Sequence, residues 1–282
     1  MKQRKTNKSV SSPVRTCVWT HSILLILLMP SCFTIELTAV AQRQEVSAPN
    51  NSLPAQEVAA SLVEMNLRRA QALHTYHGTR IYRLEYRGFP SSRSAEMVVD
   101  VKYRAPATKE FTIESSEGSQ LVIDKVFKKI LQAEQEAMAD EAQRLTTLNF
   151  DNYNFTMVGN ERNSMRSMYV LLVEPRRKDK FLFRGRVWVD DNDFAVVRLE
   201  AEPEKCPSFW TKNIEIKQLY MKVGEFWLPE QNHSISTIRL GGRAELTIEY
   251  RNYEISASDP VFGATKGQIG LPPENKPLPA AK

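Results

Sequence analysis

Cysteine is scarce in this sequence, and its scarcity limits how the fold can be stabilised. The 282 residues contain three cysteines. Cys17 and Cys32 lie in an N-terminal apolar region, which leaves Cys206 alone in the remainder. One cysteine cannot form an internal disulfide framework, so a sizeable hydrophobic core must hold the fold together. Cys206 precedes Pro207 in a turn-like setting without a nearby histidine, which indicates a structural residue rather than a nucleophile.

Sequence signatures of catalysis are also lacking. The chain has no G-x-S-x-G, P-loop, H-E-x-x-H, C-x-x-C or G-x-G-x-x-G pattern, so the common nucleophile, phosphate, zinc and dinucleotide sites have no support. His74 and His77 could share one face near the end of a predicted helix. The segment offers them no partnering carboxylate, which favours a surface or capping role over a metal site.

The acidic run Asp190–Asp193 is interpreted as a turn. It lies between two apolar segments, where a hairpin needs polar residues, and it lacks the glycine and downstream glutamate of a calcium loop. We therefore predict no catalytic residue, no metal and no cofactor, and hence no enzyme. An enzyme would need His74, His77 and the Asp190 region to converge in one cleft.

A basic run occurs only at the N-terminus. Residues 2–15 carry five Lys/Arg and no acid, and Cys17–Met29 is mostly apolar but shorter than the ~20 residues of a membrane-spanning helix. This pattern predicts an export signal over residues 1–41, cleaved after Ala41. A lipid-attachment site at Cys32 and an uncleaved anchor are the alternatives.

Removal of this leader changes the meaning of the net charge. Residues 1–41 contain five Lys/Arg and one acid, so the net charge of +5 falls to about +1 after cleavage. We therefore expect no nucleic-acid partner. The rest of the chain is predicted to comprise a flexible tether over 42–53, one folded domain over 54–256 and a disordered Pro-rich tail over 257–282.

Apolar periodicity in the domain predicts two helices and about ten strands. Apolar residues recur at helical spacing from Pro54 to Leu73, with Gly78 as the stop, and again over Ser119–Leu145. In the second helix the apolar stripe is Val122, Val126, Ile130 and Leu131, and Glu134 takes another position. The predicted strands are Thr79–Arg87, Ser94–Arg104, Lys109–Ser115, Asn152–Val158, Met165–Val173, Lys180–Asp190, Phe194–Glu202, Trp210–Val223, Glu225–Ile238 and Arg243–Ile255.

Several strands alternate between apolar and polar residues, which is typical of a sheet with one buried face. Met97, Val99, Val101 and Tyr103 alternate with Asp100, Lys102 and Arg104. The fold class is therefore mainly β (α+β): one curved antiparallel sheet forming an incomplete β-barrel, with two amphipathic helices packed on its apolar face. A two-layer sandwich is the alternative. The apolar face could be a filled core or a cleft that accepts acyl chains.

Two segments carry the motifs of a known family. Val98–Phe111 (VVDVKYRAPATKEF) has a strand, a basic residue and a proline followed by an aromatic strand. Phe183–Glu200 (FRGRVWVDDNDFAVVRLE) has a glycine, a tryptophan and an acidic turn in a predicted hairpin. These segments resemble the bacterial outer-membrane lipoprotein-sorting proteins (LolA/LolB-like), whose fold is shared by RseB-type periplasmic sensors. The similarity extends over roughly residues 55–255. It implies an incomplete barrel without catalysis, and Arg104 matches an arginine that helps to hold the lid closed in that family.

The resemblance implies a monomeric periplasmic carrier that binds acyl chains of lipids or lipoproteins in a hydrophobic cleft, for transfer toward the outer membrane. An inner- or outer-membrane transfer partner is part of that expectation. The alternative function is an envelope sensor or scaffold that binds a membrane protein. The candidate lipid-binding residues are Val99, Val101, Tyr103, Phe111, Ile113, Ile214, Ile216, Leu246 and Ile248.

Overall fold

The computed structural model describes residues 53–106, 108–138, 144–164, 166–179, 181–205, 211–239 and 241–257. The predicted export signal, nearly all of the tether, Cys206 and the tail from residue 258 onward lie outside these ranges. The helical elements are α1 (Ala55–Ala72), α2 (Gln120–Val122), a π-helical turn (Ile123–Phe127) and α3 (Lys128–Glu136). The strands are β1 (Leu73–Gly88), β2 (Arg93–Arg104), β3 (Thr108–Gly118), β4 (Tyr153–Arg162), β5 (Ser167–Pro175), β6 (Phe183–Asp190), β7 (Val196–Pro203), β8 (Thr211–Val223), β9 (Phe226–Ile238) and β10 (Gly242–Ala257).

The strands form one antiparallel sheet in which chain neighbours are also sheet neighbours, except where β1 pairs with β10. The ten strands follow the order β3-β2-β1-β10-β9-β8-β7-β6-β5-β4. Strands β3 and β4 are the two edges of this order, so the sheet is not closed within the described residues. The predicted fold class, an open antiparallel sheet with helices on one face, is confirmed.

The register defines one face that runs through most of the sheet. Residues directly opposite each other in antiparallel strands project to the same side. A row of such residues crosses from β2 to β4 through Met97, Tyr82, Ile248, Asn232, Gln218, Leu199, Val187, Leu171 and Met157. We call the face containing this row the inner face, because the helices pack on it.

Helix α1 covers the β4–β7 half of the inner face. Its residues Val58 and Leu62 are fully buried in a cluster with Leu171, Val187 and Leu199. The helix ends at Ala72 and the chain enters β1 at once. The prediction that places His74 and His77 near the end of this helix is therefore wrong.

Sheet pairing explains this early end of the helix. Tyr76 lies opposite Tyr103 on β2 and opposite Ile255 on β10, so both neighbouring strands extend along the segment before Gly78. Thr75 and Tyr76 are residue types that favour strands, so this segment pairs with β2 and β10 rather than extending α1 by another turn.

The second helical segment covers the β1, β2 and β10 part of the inner face. It buries Ile123, Phe127 and Ile130 against Tyr82, Met97 and other residues of these strands. Helix α3 ends at Glu136 and a turn at Ala137 and Met138 follows, whereas residues 144–146 are again helical, so the predicted helix to Leu145 is interrupted. The π-helical turn is wider than an α-turn and shifts the buried stripe by one position, so Phe127 is fully buried where Val126 was predicted.

A smaller core lies on the opposite face of β5–β9. Trp188 and Trp227 are buried there with Met168 and Val170. The indole of Trp227 donates a hydrogen bond of 2.8 Å to Asp193, and the Asp190 carboxylate accepts the backbone N–H groups of Asn192 and Asp193 at 3.1 and 3.0 Å. Asp190–Asp193 is therefore a hairpin turn, as predicted.

No helix in the described ranges is long and apolar enough to cross a membrane.

We expect Leu62→Ala to lower the free energy of unfolding by about 2–5 kcal/mol, because the substitution leaves a cavity beneath α1. Leu121→Ala is the matched control, since Leu121 is 54% exposed at the start of α2, and it should change stability by no more than about 0.5 kcal/mol. Chemical denaturation of both variants measures the difference. Equal effects would contradict the packing of α1 on the sheet.

Candidate functional site

The inner face carries two apolar clusters, one under each helical segment. The cluster under α1 is built from β4–β7, and the cluster under α2–α3 is built from β1, β2 and β10. Strands β8 and β9 lie between these two halves of the sheet. Their inner residues belong to neither cluster and form a central strip, which consists of Ile214, Ile216, Gln218, Asn232 and Ser234.

The central strip is buried although it contains polar side chains. The amide of Asn232 donates a hydrogen bond of 3.0 Å to the Gln218 side-chain oxygen, and Gln218 Nε2 donates one of 3.0 Å to the carbonyl oxygen of Leu219. These partners offset the cost of removing the amides from water. The strip therefore combines apolar and hydrogen-bonding groups at the centre of the inner face.

The register places all nine predicted lipid-binding residues on the inner face. Val99, Val101, Phe111, Leu246 and Ile248 meet in the cluster under α2–α3. The other four are distributed: Tyr103 packs near one end of the sheet, Ile113 lies on edge strand β3, and Ile214 and Ile216 lie in the central strip.

A buried ionic cluster joins the second helical segment to the sheet. The Arg80 guanidinium on β1 donates two hydrogen bonds to the Glu134 carboxylate on α3, at 2.6 and 3.1 Å. Lys109 Nζ on β3 donates to the same carboxylate at 2.5 Å. Arg80 and Glu134 are only 5% and 3% exposed. One carboxylate on the helix therefore binds two cations on two strands of the sheet.

The electrostatics of this cluster keep all three groups charged. Burial acts to raise the pKa of Glu134, but the positive charges of Arg80 and Lys109 outweigh it and hold that pKa far below its usual value. Burial acts to lower the pKa of Arg80 and of Lys109, and the Glu134 carboxylate reverses both shifts. The charged form is thus the stable form of the cluster over the physiological pH range.

The same arginine contacts aromatic residues of the inner face, including the candidate binding residue Phe111. Its guanidinium lies over the Tyr250 ring at 5.0 Å and near the Phe111 ring at 5.6 Å from the ring centroids. Its Nη1 also donates to the Tyr82 hydroxyl at 3.3 Å. Arg80 therefore connects the helix to the aromatic part of the inner face.

The sequence analysis missed Arg80 and Glu134 as site residues. Arg80 occupies an inward position of β1, two residues before the fully buried Tyr82. Glu134 follows Ile130 by one helical turn and so continues the apolar stripe. A cation on an inward strand position and an acid on a buried helical stripe are the signal that could have identified the pair.

Arg104 lies exposed on the face opposite to Val99 and Val101. The arginine that contacts the helical segment is Arg80.

The histidines do not gather around the acidic turn. His77 Nε2 lies 2.5 Å from Asp100 Oδ1, while Asp190 ends β6, which four strands separate from β1 in the sheet order. The described part of the chain contains no group of three or more His, Cys, Asp or Glu side chains that could hold a metal ion.

We expect Glu134→Gln to lower the free energy of unfolding by about 3–5 kcal/mol, because it leaves two buried cations without a counter-charge. Glu136→Gln, an exposed position on the same helix, is the control and should change stability by less than about 0.5 kcal/mol. Urea denaturation at neutral pH measures both values.

The same carboxylate predicts a pH dependence. The pKa of Glu134 is lower in the folded chain than its ordinary value of 4.5, so its contribution is fully present above that pH and is lost as the pH falls through the lowered folded value. The stability difference between wild type and Glu134→Gln should stay constant above pH 4.5 and shrink below it. A difference that already declines near neutral pH would contradict the ionised state of Glu134.

Comparisons with known proteins locate the chain in a family. Residues 92–253 match the model described as "Family of unknown function (DUF5686)". None of the curated proteins matches the chain.

Solved structures similar to the chain share its fold type at low sequence identity. A LolA superfamily protein from Nitrosomonas europaea is 9% identical, with a TM-score of 0.32, over 73% of this chain and 94% of its own. A putative outer membrane lipoprotein-sorting protein domain from Vibrio parahaemolyticus is 12% identical, with a TM-score of 0.36, over 76% and 95%. The Pseudomonas aeruginosa MucA/MucB complex is 10% identical, with a TM-score of 0.23, over 71% and 94%.

Two of these structures are described as a LolA superfamily protein and a lipoprotein-sorting protein domain, and the third as a MucA/MucB complex. The likeness concerns the fold alone.

Proposed function

The chain belongs to the DUF5686 family, whose function is unknown, and we propose that it is a non-catalytic periplasmic carrier that binds acyl chains of lipids or lipoproteins. The observation that carries this proposal is the inner face. Its apolar residues extend across the sheet, and the part that contains most of the predicted lipid-binding residues is covered by a helical segment held by one ionic cluster.

Acyl binding needs apolar area rather than placed acids or bases. Each buried CH₂ group contributes ~0.8 kcal/mol, so a chain of ordinary length can displace a helix that covers a similar surface. The segment α2–α3 has the properties of such a lid. It is short, it contains a π-helical turn at Ile123–Phe127, and π-turns frequently occur at functional sites.

The ionic cluster gives the lid a defined closed position. Arg80 and Lys109 are the partners of Glu134 on the sheet, so lifting α3 exposes all three charges to water together. Hydration of the separated charges offsets part of the lost attraction. We infer that an incoming acyl chain replaces the apolar contacts of Phe127 and Ile130, while water replaces the partners of the charges.

The central strip is the proposed route between the two halves of the inner face. An acyl chain lying across β8 and β9 would contact Ile214 and Ile216 from one side and could reach either apolar cluster. Gln218 and Asn232 would bind a polar group of the same ligand, such as an ester or amide near its headgroup.

We expect the purified protein to take up a fluorescent fatty acid saturably, and Ser234→Phe to weaken this uptake at least tenfold by filling the central strip. Ser115→Phe is the matched control, because Ser115 is exposed on edge strand β3, opposite Val98 on the other face. Fluorescence titration gives the affinities, and circular dichroism checks that both variants are folded. Absence of saturable uptake by wild type, with no lipid retained in native mass spectrometry, would exclude acyl binding.

Crosslinking in cells distinguishes the carrier from the sensor or scaffold. A carrier should trap many lipoproteins or membrane components, whereas a sensor should trap one stoichiometric membrane-protein partner. Glu134→Gln should increase the range of trapped cargo if the lid controls access.

A further inference from the structure

Two hairpin turns lie side by side at one end of the sheet. The turn between β1 and β2 follows Gly88, and the turn between β9 and β10 precedes Gly242; these two glycines are direct partners in the sheet. A Cβ added to Gly88 would lie only 2.6 Å from the Cα of Gly242. The backbones are therefore in contact, and the two turns form one surface, which we call the tip (residues 86–93, 237–239 and 241–244).

The tip carries a concentrated positive charge. Its two segments contain four arginines and no Asp or Glu, namely Arg87, Arg93, Arg239 and Arg243. Arg87 and Arg243 lie directly opposite each other in the β1–β10 pair, an arrangement that is unfavourable without nearby negative charge. Two carboxylates lie one row further into the sheet: Glu85 is 2.9 Å from Arg87, and Glu245 is 3.9 Å from Arg243.

An aromatic side chain projects from this basic surface. Phe89 is 75% exposed, the highest value among the large hydrophobic residues in the described ranges. The backbone of Phe89 is held in place by Tyr86. The Tyr86 hydroxyl donates a 2.6 Å hydrogen bond to the Phe89 carbonyl oxygen and lies 3.3 Å from the carbonyl oxygen of Gly241. An apolar group held in water on a rigid turn indicates an interaction surface.

A second exposed apolar residue lies at the same end. Strand β3 ends at Gly118 opposite Ala95, and the Ser119 N–H donates a 2.8 Å hydrogen bond to the Ser94 carbonyl oxygen, next to Arg93. Leu121 follows in the first turn of α2 and is 54% exposed. The start of the proposed lid thus adjoins the tip.

We propose that the tip docks on a bilayer surface that contains anionic lipid. The arginines would bind lipid phosphates, and Phe89 would enter the boundary between headgroups and acyl chains, where aromatic side chains are favoured. The combination of features favours one partner. Positive charge alone suits any polyanion, but a highly exposed aromatic residue among the arginines suits a surface with an apolar layer beneath its charges. The inference concerns a surface separate from the inner face and stands without acyl binding.

Cosedimentation with vesicles tests this proposal, using phosphatidylcholine vesicles with and without phosphatidylglycerol. The purified protein should bind only the anionic vesicles, and added salt should weaken the binding. The double variant Arg87→Gln/Arg243→Gln should lose affinity by about twenty-five-fold, at about fivefold per arginine. The charge-matched control is Arg68→Gln/Arg162→Gln, since both residues lie at the opposite end of the sheet, and it should bind like wild type.

Phe89→Ser separates insertion from simple charge attraction. It should weaken binding to anionic vesicles without changing binding to a soluble polyanion such as heparin, whereas Val158→Ser, at an exposed position on β4, should change neither. In Phe89→Trp, vesicle addition should shift the added indole emission to the blue. Any of three results would overturn the proposal. The protein could bind neutral vesicles as well as anionic ones, or the double variant could bind like wild type. The third result is heparin binding as tight as vesicle binding together with no effect of Phe89→Ser. The basic and apolar N-terminal region is identical in all variants, so it cannot account for differences in vesicle binding between them.

Discussion

The attachment of the second helical segment to the sheet depends on one buried carboxylate. Glu134 neutralises two cations, Arg80 and Lys109, that the sheet would otherwise bury without a counter-charge. Buried ion pairs add little net stability compared with apolar packing, but they are costly to break by removing one partner. The cluster therefore fixes where the helix sits more than it strengthens the fold, and the surrounding aromatic residues keep water away from it.

The two helices cover the inner face in different ways. Helix α1 contributes Val58 and Leu62 to a purely apolar cluster with β4–β7, so that half resembles an ordinary core. The half under α2–α3 combines apolar contacts with the ionic cluster. Between them the central strip pairs Gln218 with Asn232. One continuous sheet face thus carries an apolar cluster, a strip with paired amides and a cluster with a buried ion pair, an arrangement that would suit the proposed ligand with an apolar chain and a polar end.

The sheet could be predicted because apolar and polar residues alternate along strands that have one buried face and one solvent-exposed face, as in Met97–Tyr103. The resulting inward residues were identified correctly for the same reason. Local periodicity could not place the end of α1, since pairing of Tyr76 with Tyr103 and Ile255 depends on strands distant in the chain. It gives Arg80 and Glu134 inward positions, but it does not show that they pair, because their pairing depends on the topology that brings β1 beneath α3.

The pairing of β1 with β10 has a consequence for how the chain acquires its structure. Strand β1 has two neighbours in the sheet, β2 and β10, and β10 is the last strand along the chain in the described residues. Tyr82 on β1, for example, lies opposite Ile248 on β10. Contacts between residues so far apart in sequence close large loops, and proteins rich in them fold slowly. The sheet cannot be completed until nearly the whole domain has been synthesised. Until then β1 lacks one of its two neighbours, and an incompletely folded chain of this kind is what the predicted export would require.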